Sequence, residues 1–468
     1  MAPSIPGGRR LFACIDIGGS KFVAGICDEG GDILCSTRHE WSGVSEGQIL
    51  EQVASAMGEE LAEHPGLRNR VVAGGVTIPG FADPKRGIWV DSDYLDVHDL
   101  PICDFLANRL RLPFFGDNDC NACALAEHYF GTAKGARDFL YITVSSGIGG
   151  GIFLGDRLFY GDRQLAGEIG LTVVEDRPRP EFSRFPRGRL EDYCSTRGMR
   201  TTYVSLGGGT AQSSFGGREI AAAARAEDPA ALETMRLEGV YLARAIARMD
   251  AVAAPSQVVV GGGISLAFPD YGPSLFSELS RIRPESSLQV KPSILGYQGA
   301  LLGACACAVR GLSSPLDEAS LPGSGSELRI TSSHGKTACR LLCGGEDLLP
   351  AGAGDLGSFL VASGASDEGI ELDGLLGGVS LGFLVRRAEQ GNADDLGAVE
   401  RFGRSLGAAV SYCATLLDPA AIVFEDDLAA AEGLYREEVL GAIEDDSYWQ
   451  RESLPYVIEW CPPRPKGR

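Results

Sequence analysis

Residues 115–170 read FGDNDCNACALAEHYFGTAKGARDFLYITVSSGIGGGIFLGDRLFYGDRQLAGEIG. The stretch begins with a strand, passes through Asp-Asn-Asp (117–119) into an alanine-rich helix, and continues as a hairpin rich in serine and glycine. A lone carboxylate, Glu168, follows in AGEIG. One Asx residue at such a strand-to-helix junction is explained as an N-cap, but three together exceed what one cap needs. A carboxylate beside a turn that can cradle phosphate indicates transfer of a phosphoryl group to an alcohol.

The composition is typical of a large protein that binds small molecules. Its 468 residues, 44% of them hydrophobic, suffice for roughly two to four structural units. The net charge of −21 argues against nucleic acid and against an anionic membrane as partners, because both select clustered Lys and Arg. No run of ~18 apolar residues and no secretory h-region occurs, so we expect a cytoplasmic protein without membrane contact.

The thirteen cysteines are odd in number and scattered along the chain. This usage predicts reduced, mostly buried thiols rather than a disulfide framework. Cys120 and Cys123 have CxxC spacing, but they lie within a helical pattern and no second pair is near. We therefore interpret them as two small apolar side chains.

The amino-terminal part predicts an α/β domain. LFACIDI (11–17) is a short strand followed by Gly-Gly-Ser-Lys (18–21) and a second strand, and a helix at 48–63 precedes the strand VVAGGVTIPG (71–80). The glycines after the first strand would let backbone N–H groups approach a phosphate, and Asp16 could hold Mg²⁺ through water. Glycine pairs are also common in ordinary hairpin turns, so this pattern alone leaves both interpretations open.

The second hairpin carries a stronger phosphate signal. Strands are predicted on both sides of SSGIGGG (145–151), which places two hydroxyl groups and four glycines within one turn region. Such a density goes beyond the chemistry of a turn and favours a phosphate cradle.

Seven segments match the order and spacing of one protein family, the ROK sugar kinases. They are DIGGSK (16–21), GVTIPG (75–80), NDCNACALAE (118–127), ITVSSGIGGGI (142–152), AGEIG (166–170), RLEDYCSTRG (189–198) and PSQVVVGGGIS (255–265). The chain resembles this family over roughly residues 10–310. The resemblance implies an α/β, actin-like (ribonuclease H-like) ATPase fold, with an amino-terminal lobe at 10–118 and a carboxyl-terminal lobe carrying the nucleotide site at 119–310.

The resemblance also implies roles for individual residues. Asp119 would be the general base that accepts the proton of a sugar hydroxyl. Sugar contacts would come from Asn118, Glu168, Glu191 and Gly80. ATP would lie against the glycine turns, with Mg²⁺ held by Asp16 through water, and the residues implied are Asp16, Gly18, Gly19, Ser20, Lys21, Thr143, Ser145, Gly147, Gly149, Gly261, Gly262 and Gly263. The implied activity is ATP-dependent phosphorylation of a hexose or N-acetylhexosamine hydroxyl.

Two departures from the family pattern concern the sugar pocket and zinc. The family continues AGEIG with a histidine that contacts the sugar and in many members binds zinc, whereas this chain has Leu171. The segment EDRPRPEFSRFPRGRLEDY (175–193), where the family's zinc knuckle would lie, contains neither Cys nor His. We therefore predict no zinc and leave the identity of the sugar open.

The chain continues beyond the resemblance. GLSSPLDEASLPGSGSE (311–327) predicts a linker. ITSSHG and AGDLG, in 327–362, then echo ITVSSG and AGEIG, and the helix and strand of 398–427 echo those of 241–263. These echoes favour a degenerate third actin-like lobe at 328–468, a repeat of the carboxyl-terminal lobe, although two such patterns could also merely look alike.

This extra copy is predicted to be chemically silent. Glu425, Asp426 and Asp427 replace the glycines of the adenosine turn, and their carboxylates would repel phosphates. Because members of the family commonly pair through their carboxyl-terminal lobes, the resemblance implies that the copy stands in for a second subunit and makes the chain a monomeric pseudo-dimer.

Two classes of function remain open. The first is an ATP-dependent sugar kinase that uses Asp119, and the second is a catalytically weak or inactive relative that binds sugar or regulates. Asp16, Asn118, Asp119 and Glu168 favour the kinase, since a protein that only binds sugar needs no general base. Ten residues precede Leu11, too few for the winged helix of DNA-binding members, so we expect no repressor role.

Overall fold

Three five-stranded sheets, each with helices packed against it, make up the part of the chain that can be described. The computed structural model describes residues 8–92, 95–175, 178–179, 181, 187–209, 215–313, 323–333, 336–350, 353–357, 360–361, 370–376, 379–446, 454 and 456–461. Among the helices of these residues, none is at once long enough and apolar enough to cross a membrane.

The first sheet follows the strand pattern predicted for the amino-terminal part. Its elements and those attached to it are β1 (Leu11–Ile17), β2 (Lys21–Asp28), β3 (Ile33–Glu40), α1 (Glu46–Glu63), α2 (Pro65–Arg68), β4 (Val71–Ile78), a small sheet of β5 (Phe81–Asp83), β6 (Ile88–Asp91) and β7 (His98–Leu100), α3 (Ile102–Leu110) and β8 (Phe114–Asn118). The order is β3-β2-β1-β4-β8, with β1 to β3 antiparallel and with β4 and β8 parallel to β1. Central strand β1 is apolar almost throughout because both of its faces are covered.

The second sheet repeats this arrangement. After α4 (Asp119–Tyr129) come β9 (Phe139–Val144), β10 (Ile148–Leu154), β11 (Arg157–Phe159), β12 (Val173–Glu175), β13 (Gly188–Arg189), α5 (Leu190–Cys194), α6 (Thr196–Ser205), α7 (Gly217–Arg225), α8 (Pro229–Ala253), β14 (Gln257–Gly261), α9 (Phe268–Ile282), β15 (Gln289–Pro292) and α10 (Gly299–Ser313). The order β11-β10-β9-β14-β15 again joins an antiparallel meander to two parallel strands. The prediction of a mixed α/β architecture is confirmed.

Helix α10 belongs by sequence to the second predicted lobe but packs against β1, β4 and β8 of the first sheet. The close approach requires a glycine, because a Cβ at Gly75 would lie 1.8 Å from the carbonyl oxygen of Ala304. Together with α4, this helix forms a buried apolar cluster between the two sheets. The two halves of the molecule are therefore joined by these helices as well as by the chain between them.

The third sheet has the same strand order and directions as the other two. Its region contains β16 (Glu327–Ser333), β17 (Lys336–Cys343), β18 (Glu346–Asp347), β19 (Leu360–Val361), β20 (Ile370–Glu371), α11 (Leu381–Glu389), α12 (Ala393–Leu417), β21 (Ala421–Glu425), α13 (Asp426–Ala430), α14 (Glu432–Asp446) and β22 (Val457–Cys461). The order is β18-β17-β16-β21-β22, with β16 and β21 parallel. Of the predicted linker, residues 311–313 end α10, and 314–322 lie outside the described residues.

Helices α8 and α12 correspond closely in the second and third sheets. Each has 25 residues and begins after a side chain that caps its first N–H groups, Asp228 in one and Asn392 in the other. Each ends at a residue with left-handed backbone that precedes a proline, Ala254 and Asp418 respectively. A single apolar cluster runs through the cores of both regions, so the second and third sheet regions share a continuous core.

Candidate active site

The Asp-Asn-Asp run (117–119) lies at the junction of β8 and α4, where Asn118 and Asp119 have different roles. Asn118 is the N-cap, because its Oδ1 accepts hydrogen bonds from the N–H groups of Cys120 at 2.9 Å and Asn121 at 3.3 Å. Its Nδ2 donates to the carbonyl oxygen of Gly80 at 2.7 Å and so braces the Pro-Gly turn, where Gly80 has φ of +89°. Asp119, the first helical residue, is left for another role.

The Asp119 carboxylate is partly buried and accepts the N–H of Cys120 at 2.8 Å. Its pKa is raised to about 6, mainly by burial and to a lesser extent by the nearby negative charge of Asp16, while the hydrogen bond from the thiol of Cys120 opposes the shift. A carboxyl group with such a pKa is largely ionised near neutral pH and still basic enough to take a proton from a hydroxyl.

Asp16 lies near the carboxyl end of β1, where the first glycine turn begins. Its Oδ1 accepts the hydroxyl of Thr77 at 2.9 Å. Burial raises the pKa of Asp16, against the effects of Thr77 and the charge of Lys21. The turn is closed by the N–H of Gly18, which donates to the carbonyl of Lys21 at 2.9 Å, and its tip is exposed. An exposed glycine turn beside a carboxylate fits an anion accompanied by Mg²⁺.

The second set of predicted nucleotide residues gathers at one end of the second sheet. The turn between β9 and β10 is closed by the N–H of Ser145, which donates to the carbonyl of Gly147 at 3.0 Å, and Thr143 pairs with Gly261 across β9 and β14. Gly262 has φ of +76°, and a Cβ there would lie 2.3 Å from the carbonyl oxygen of Val144. Gly263 is exposed, and a Cβ built on it meets nothing within 4 Å, so a ligand could approach its backbone.

Gly149 departs from this group. It lies within β10, and a Cβ there would sit 2.5 Å from the Sγ of Cys120 in α4. It faces the sugar side of the predicted site rather than the tip of the phosphate turn. The prediction that it contacts ATP therefore has less support than the prediction for Ser145 and Gly147.

A cleft with about 350 Å³ of empty space, including its open mouth, lies at the start of α4. Asn118 and Cys120, the chain neighbours of Asp119, line it, whereas Asp119 itself is not among its lining residues. The cleft is lined by Gly80, Phe81, Ala82, Asn118, Cys120, Asn121, Gly149, Gly150, Gln164, Ala166 and Glu168. The structure thus brings together three of the predicted sugar residues, Asn118, Glu168 and Gly80.

Glu168 and Glu191 lie close together but have different surroundings. Burial raises the pKa of Glu168 to about 7, and the negative charges of Glu191, Asp119 and Asp418 contribute. Glu191, also predicted to contact sugar, does not line the cleft, and its Oε2 accepts the N–H of Ile148 at 2.8 Å. This bond ties Glu191 to the glycine hairpin.

Part of the segment that would hold the family's zinc knuckle, residues 176–177, 180 and 182–186, lies outside the described residues. Among its described residues, Arg179 donates to the carbonyl oxygens of Asp192 at 3.2 Å and Gly198 at 2.9 Å, and to the hydroxyl of Thr202 at 2.5 Å. The guanidinium also stacks 4.5 Å from the ring centre of Tyr193. A side chain thus ties this segment to α5 and α6.

Leu171 ends the short 3-10 turn after Glu168, and its carbonyl accepts a hydrogen bond from Arg189 at 2.6 Å. Among the described residues, groups of three potential metal ligands occur at Cys14, Cys27 and Cys305 and at Cys35, Glu60 and His64. Neither group lies near Leu171 in the chain.

A buried ion pair behind the site was not predicted from the sequence. Asp117 is 1% exposed, and its Oδ2 accepts the hydroxyl of Tyr160 at 2.6 Å and pairs with Arg310 at 3.0 Å. Arg310 also donates to the hydroxyl of Tyr160. The pair links β8 to α10 and to the end of β11, so it fixes the strand that presents Asn118 and Asp119. The available signal was the single arginine in the small-residue helix GACACAVRG.

Comparison with known proteins assigns the chain to a family. Residues 12–310 match the family described as ROK family. The chain belongs to the ROK family. The ROK match ends with α10, so the third sheet lies outside it.

The relatives that the chain matches in sequence include two glucokinases. The glucokinase of Streptomyces coelicolor is 31% identical over 264 residues, which are 54% of this chain and 81% of that protein. The glucokinase of Thermotoga maritima is 31% identical over 294 residues, 60% of this chain and 89% of its own.

Solved ROK structures agree with the fold of the first two sheets. A ROK hexokinase from Thermus thermophilus has a TM-score of 0.55 at 30% identity and covers 65% of this chain and 99% of its own. A ROK family glucokinase from Streptomyces griseus, solved in complex with glucose and AMPPNP, has a TM-score of 0.55 at 27% identity and covers 65% of this chain and 100% of its own.

Proposed function

We propose that the protein is an ATP-dependent kinase of a hexose or N-acetylhexosamine hydroxyl, with Asp119 as general base. The observation that carries the proposal is the position of Asp119. The charge of Asp16, at the first glycine turn, raises the pKa of Asp119, and the charge of Asp119 in turn raises the pKa of Glu168 in the cleft. A base placed between a phosphate side and a hydroxyl-binding side is what phosphoryl transfer to an alcohol needs.

The acceptor side of the reaction is assigned to the cleft. Glu168 and Asn118 would bind sugar hydroxyls, and the carbonyl of Gly80 is fixed by its bond to Asn118. Asp119 would accept the proton of the attacking hydroxyl as the new P–O bond forms, and its raised pKa suits that step. Glu191 would support the site indirectly, through its bond to the hairpin at Ile148.

The donor side is assigned to the glycine turns. When bound, ATP with Mg²⁺ supplies the phosphoryl group and the charge that stabilises its transfer. Asp16 would hold the metal through water. The residues proposed to line the nucleotide are Gly18, Gly19, Ser20, Lys21, Thr143, Ser145, Gly147, Gly261, Gly262 and Gly263. The Streptomyces griseus glucokinase, solved with glucose and AMPPNP, supports this assignment by likeness.

The test is a coupled assay of ADP release over a panel of hexoses and N-acetylhexosamines. We expect sugar-dependent turnover that Asp119→Asn reduces by about 10² to 10⁴. The absence of sugar-dependent turnover would reject the kinase in favour of a sugar-binding or regulatory protein. Leu171 favours that second candidate, because a leucine side chain forms no hydrogen bond with a hydroxyl where the family has histidine.

We further propose that the third sheet region is a degenerate copy of the second and replaces a subunit partner. The contacts between the two are reciprocal. The N–H of Gly167 in AGEIG donates to the carbonyl of Leu416 near the end of α12, at 2.9 Å. The N–H of Gly354 in AGDLG donates to the carbonyl of Val252 near the end of α8, at 3.0 Å. Such an exchange of equivalent contacts is the property of a two-fold interface.

Sedimentation velocity tests this second proposal. A single species of the mass of one chain is expected, because the surface that would bind a second copy is already covered. A tight dimer formed through residues 139–310 would contradict it.

A further inference from the structure

The loop between β11 and the turn at Ile169 carries three cleft residues, Gln164, Ala166 and Glu168, and has no regular secondary structure of its own. Of these, Gln164 and Glu168 have polar side chains. Loops of this kind are mobile unless their backbone groups are bonded to a rigid element. The partners of its N–H groups therefore decide how well Gln164 and Glu168 are placed.

Most of those partners come from the end of α12. The N–H of Asp162 donates to the carbonyl of Asp418 at 2.7 Å, and that of Gly167 donates to the carbonyl of Leu416 at 2.9 Å. The carboxylate oxygen Oδ2 of Asp418 accepts the N–H groups of Arg163 at 2.6 Å and Leu165 at 3.1 Å. Within its own region, the loop has the bond from Ala166 N–H to the carbonyl of Tyr160 at 3.1 Å.

The surroundings of Asp418 favour this contact. Its side chain is 1% exposed, and its Oδ1 also accepts the Nε of Arg163 at 2.8 Å. The loop approaches so closely that a Cβ at Gly161 would lie 2.5 Å from the Cβ of Asp418. A buried carboxylate that accepts several N–H groups is a strong and directional anchor.

The corresponding position in the other copy has no such group. α8 ends at Ala254 with the same left-handed backbone, so the methyl of Ala254 stands where Asp418 carries its carboxylate. The acid is present only on the side of the interface that faces the cleft.

Gln164 is the residue most directly affected. It stands between the two N–H groups that the Asp418 carboxylate binds, and its backbone has φ of +67°, in the left-handed region where L-residues are rarely found. Its Oε1 is buried and has no hydrogen-bond partner among the described residues. A buried, unpartnered amide oxygen at the wall of the cleft is available to a hydroxyl or amide of the ligand.

We propose that Asp418 is a positioning residue that holds the loop 161–168 so that Gln164 and Glu168 recognise the sugar. The inference rests on the proposed sugar site, and it assigns the third sheet region the role of positioning a loop of that site. Gln164 is then a sugar-recognition residue, and the remote carboxylate determines sugar affinity without touching sugar.

The test compares Asp418→Asn with Asp373→Asn. Asp373 is the control, because it is a partly buried carboxylate of the third sheet region that, like Asp418, accepts backbone and side-chain hydrogen bonds, but it accepts them from the N–H and hydroxyl of Thr337 within that region. Binding of glucose and N-acetylmannosamine, and separately of ATP, is measured by calorimetry, and amide hydrogen exchange is measured without ligand.

We expect Asp418→Asn to weaken sugar binding by ~10-fold or more and to leave ATP binding within about twofold, since the loss of a charged hydrogen bond acts on one side of the cleft. Exchange should accelerate in peptides spanning 161–168 and remain unchanged in the control. Gln164→Ala should reproduce the loss of sugar affinity with no change in exchange.

Equal losses of sugar and ATP affinity, or the same effects in Asp373→Asn, would overturn the inference. If Asp418→Asn does not fold, the wild-type exchange decides, because the amides of residues 162, 163, 165 and 167 should then be as protected as those at the end of α12. Exchange at the rate of an unbonded loop would refute the role of Asp418. None of these measurements needs turnover, so a protein that binds sugar without phosphorylating it would reject the kinase and leave this inference standing.

Discussion

The pH dependence of turnover gives a sharp test of the role of Asp119. With a pKa of about 6, Asp119 gains a proton as the pH falls, and only its ionised form can accept the proton of the sugar hydroxyl. For a single ionisation, kcat/KM should be about half of its plateau at pH ~6 and about tenfold below it at pH ~5. The profile is measured by ADP release at saturating ATP and low sugar, between about pH 5 and 9.

Two variants separate Asp119 from its neighbours. Cys120→Ala removes the thiol hydrogen bond that lowers the pKa of Asp119, so the acidic limb should move to higher pH. Glu168 has a pKa of about 7 and titrates in the same range, so Glu168→Gln should leave one limb near the pKa of Asp119. A wild-type limb below pH ~4.5, or a limb that Cys120→Ala shifts downward, would refute the assignment of the base.

Three further predictions concern stability. Burial holds the pKa of Glu238 well above its usual 4.5, so ionisation of this group costs no stability below pH 4.5 and lowers the free energy of unfolding as the pH rises toward the folded pKa. Glu238→Gln should therefore be more stable than wild type in thermal unfolding, by a margin that grows with pH over that range. Arg310→Met leaves Asp117 buried without its cation and should cost about 3 to 5 kcal/mol in denaturant unfolding, whereas Arg236→Met, which breaks an exposed pair with Glu233, should cost about 1 kcal/mol or less. Arg179→Met should lower the unfolding temperature, whereas adding a zinc chelator to the wild-type protein should leave its unfolding temperature unchanged. A large drop on adding the chelator would instead reveal a structural zinc.

Local signals account for what the sequence predicted well. The start of α4 could be placed because an Asx cap, a strand and an alanine-rich helix are adjacent in the chain, and the structure has Asn118 as that cap. The glycine turns could be located because positive φ and close backbone approach select glycine, as at Gly262. These features depend on neighbours in sequence.

Features that depend on distant partners were not predictable in this way. Nothing near Asp117 signals its pairing with Arg310, and Arg163 meets Asp418 across 255 residues. Gln164 belongs to no motif, and its importance depends on a loop conformation that another region imposes. Glu191 was chosen from a motif, yet its bond to Ile148 depends on how α5 packs behind the hairpin.

The bonds that join Gly167 to the end of α12 and Gly354 to the end of α8 lie within one polypeptide, which has a consequence for how the protein behaves on dilution. In a pair of separate chains, the fraction assembled falls as the concentration falls, and every residue that supports the site across the interface is lost with it. Here the effective concentration of one half for the other is set by the connecting chain. Specific activity should therefore stay constant down to the lowest enzyme concentration that can be assayed, even where a freely associating pair would have come apart.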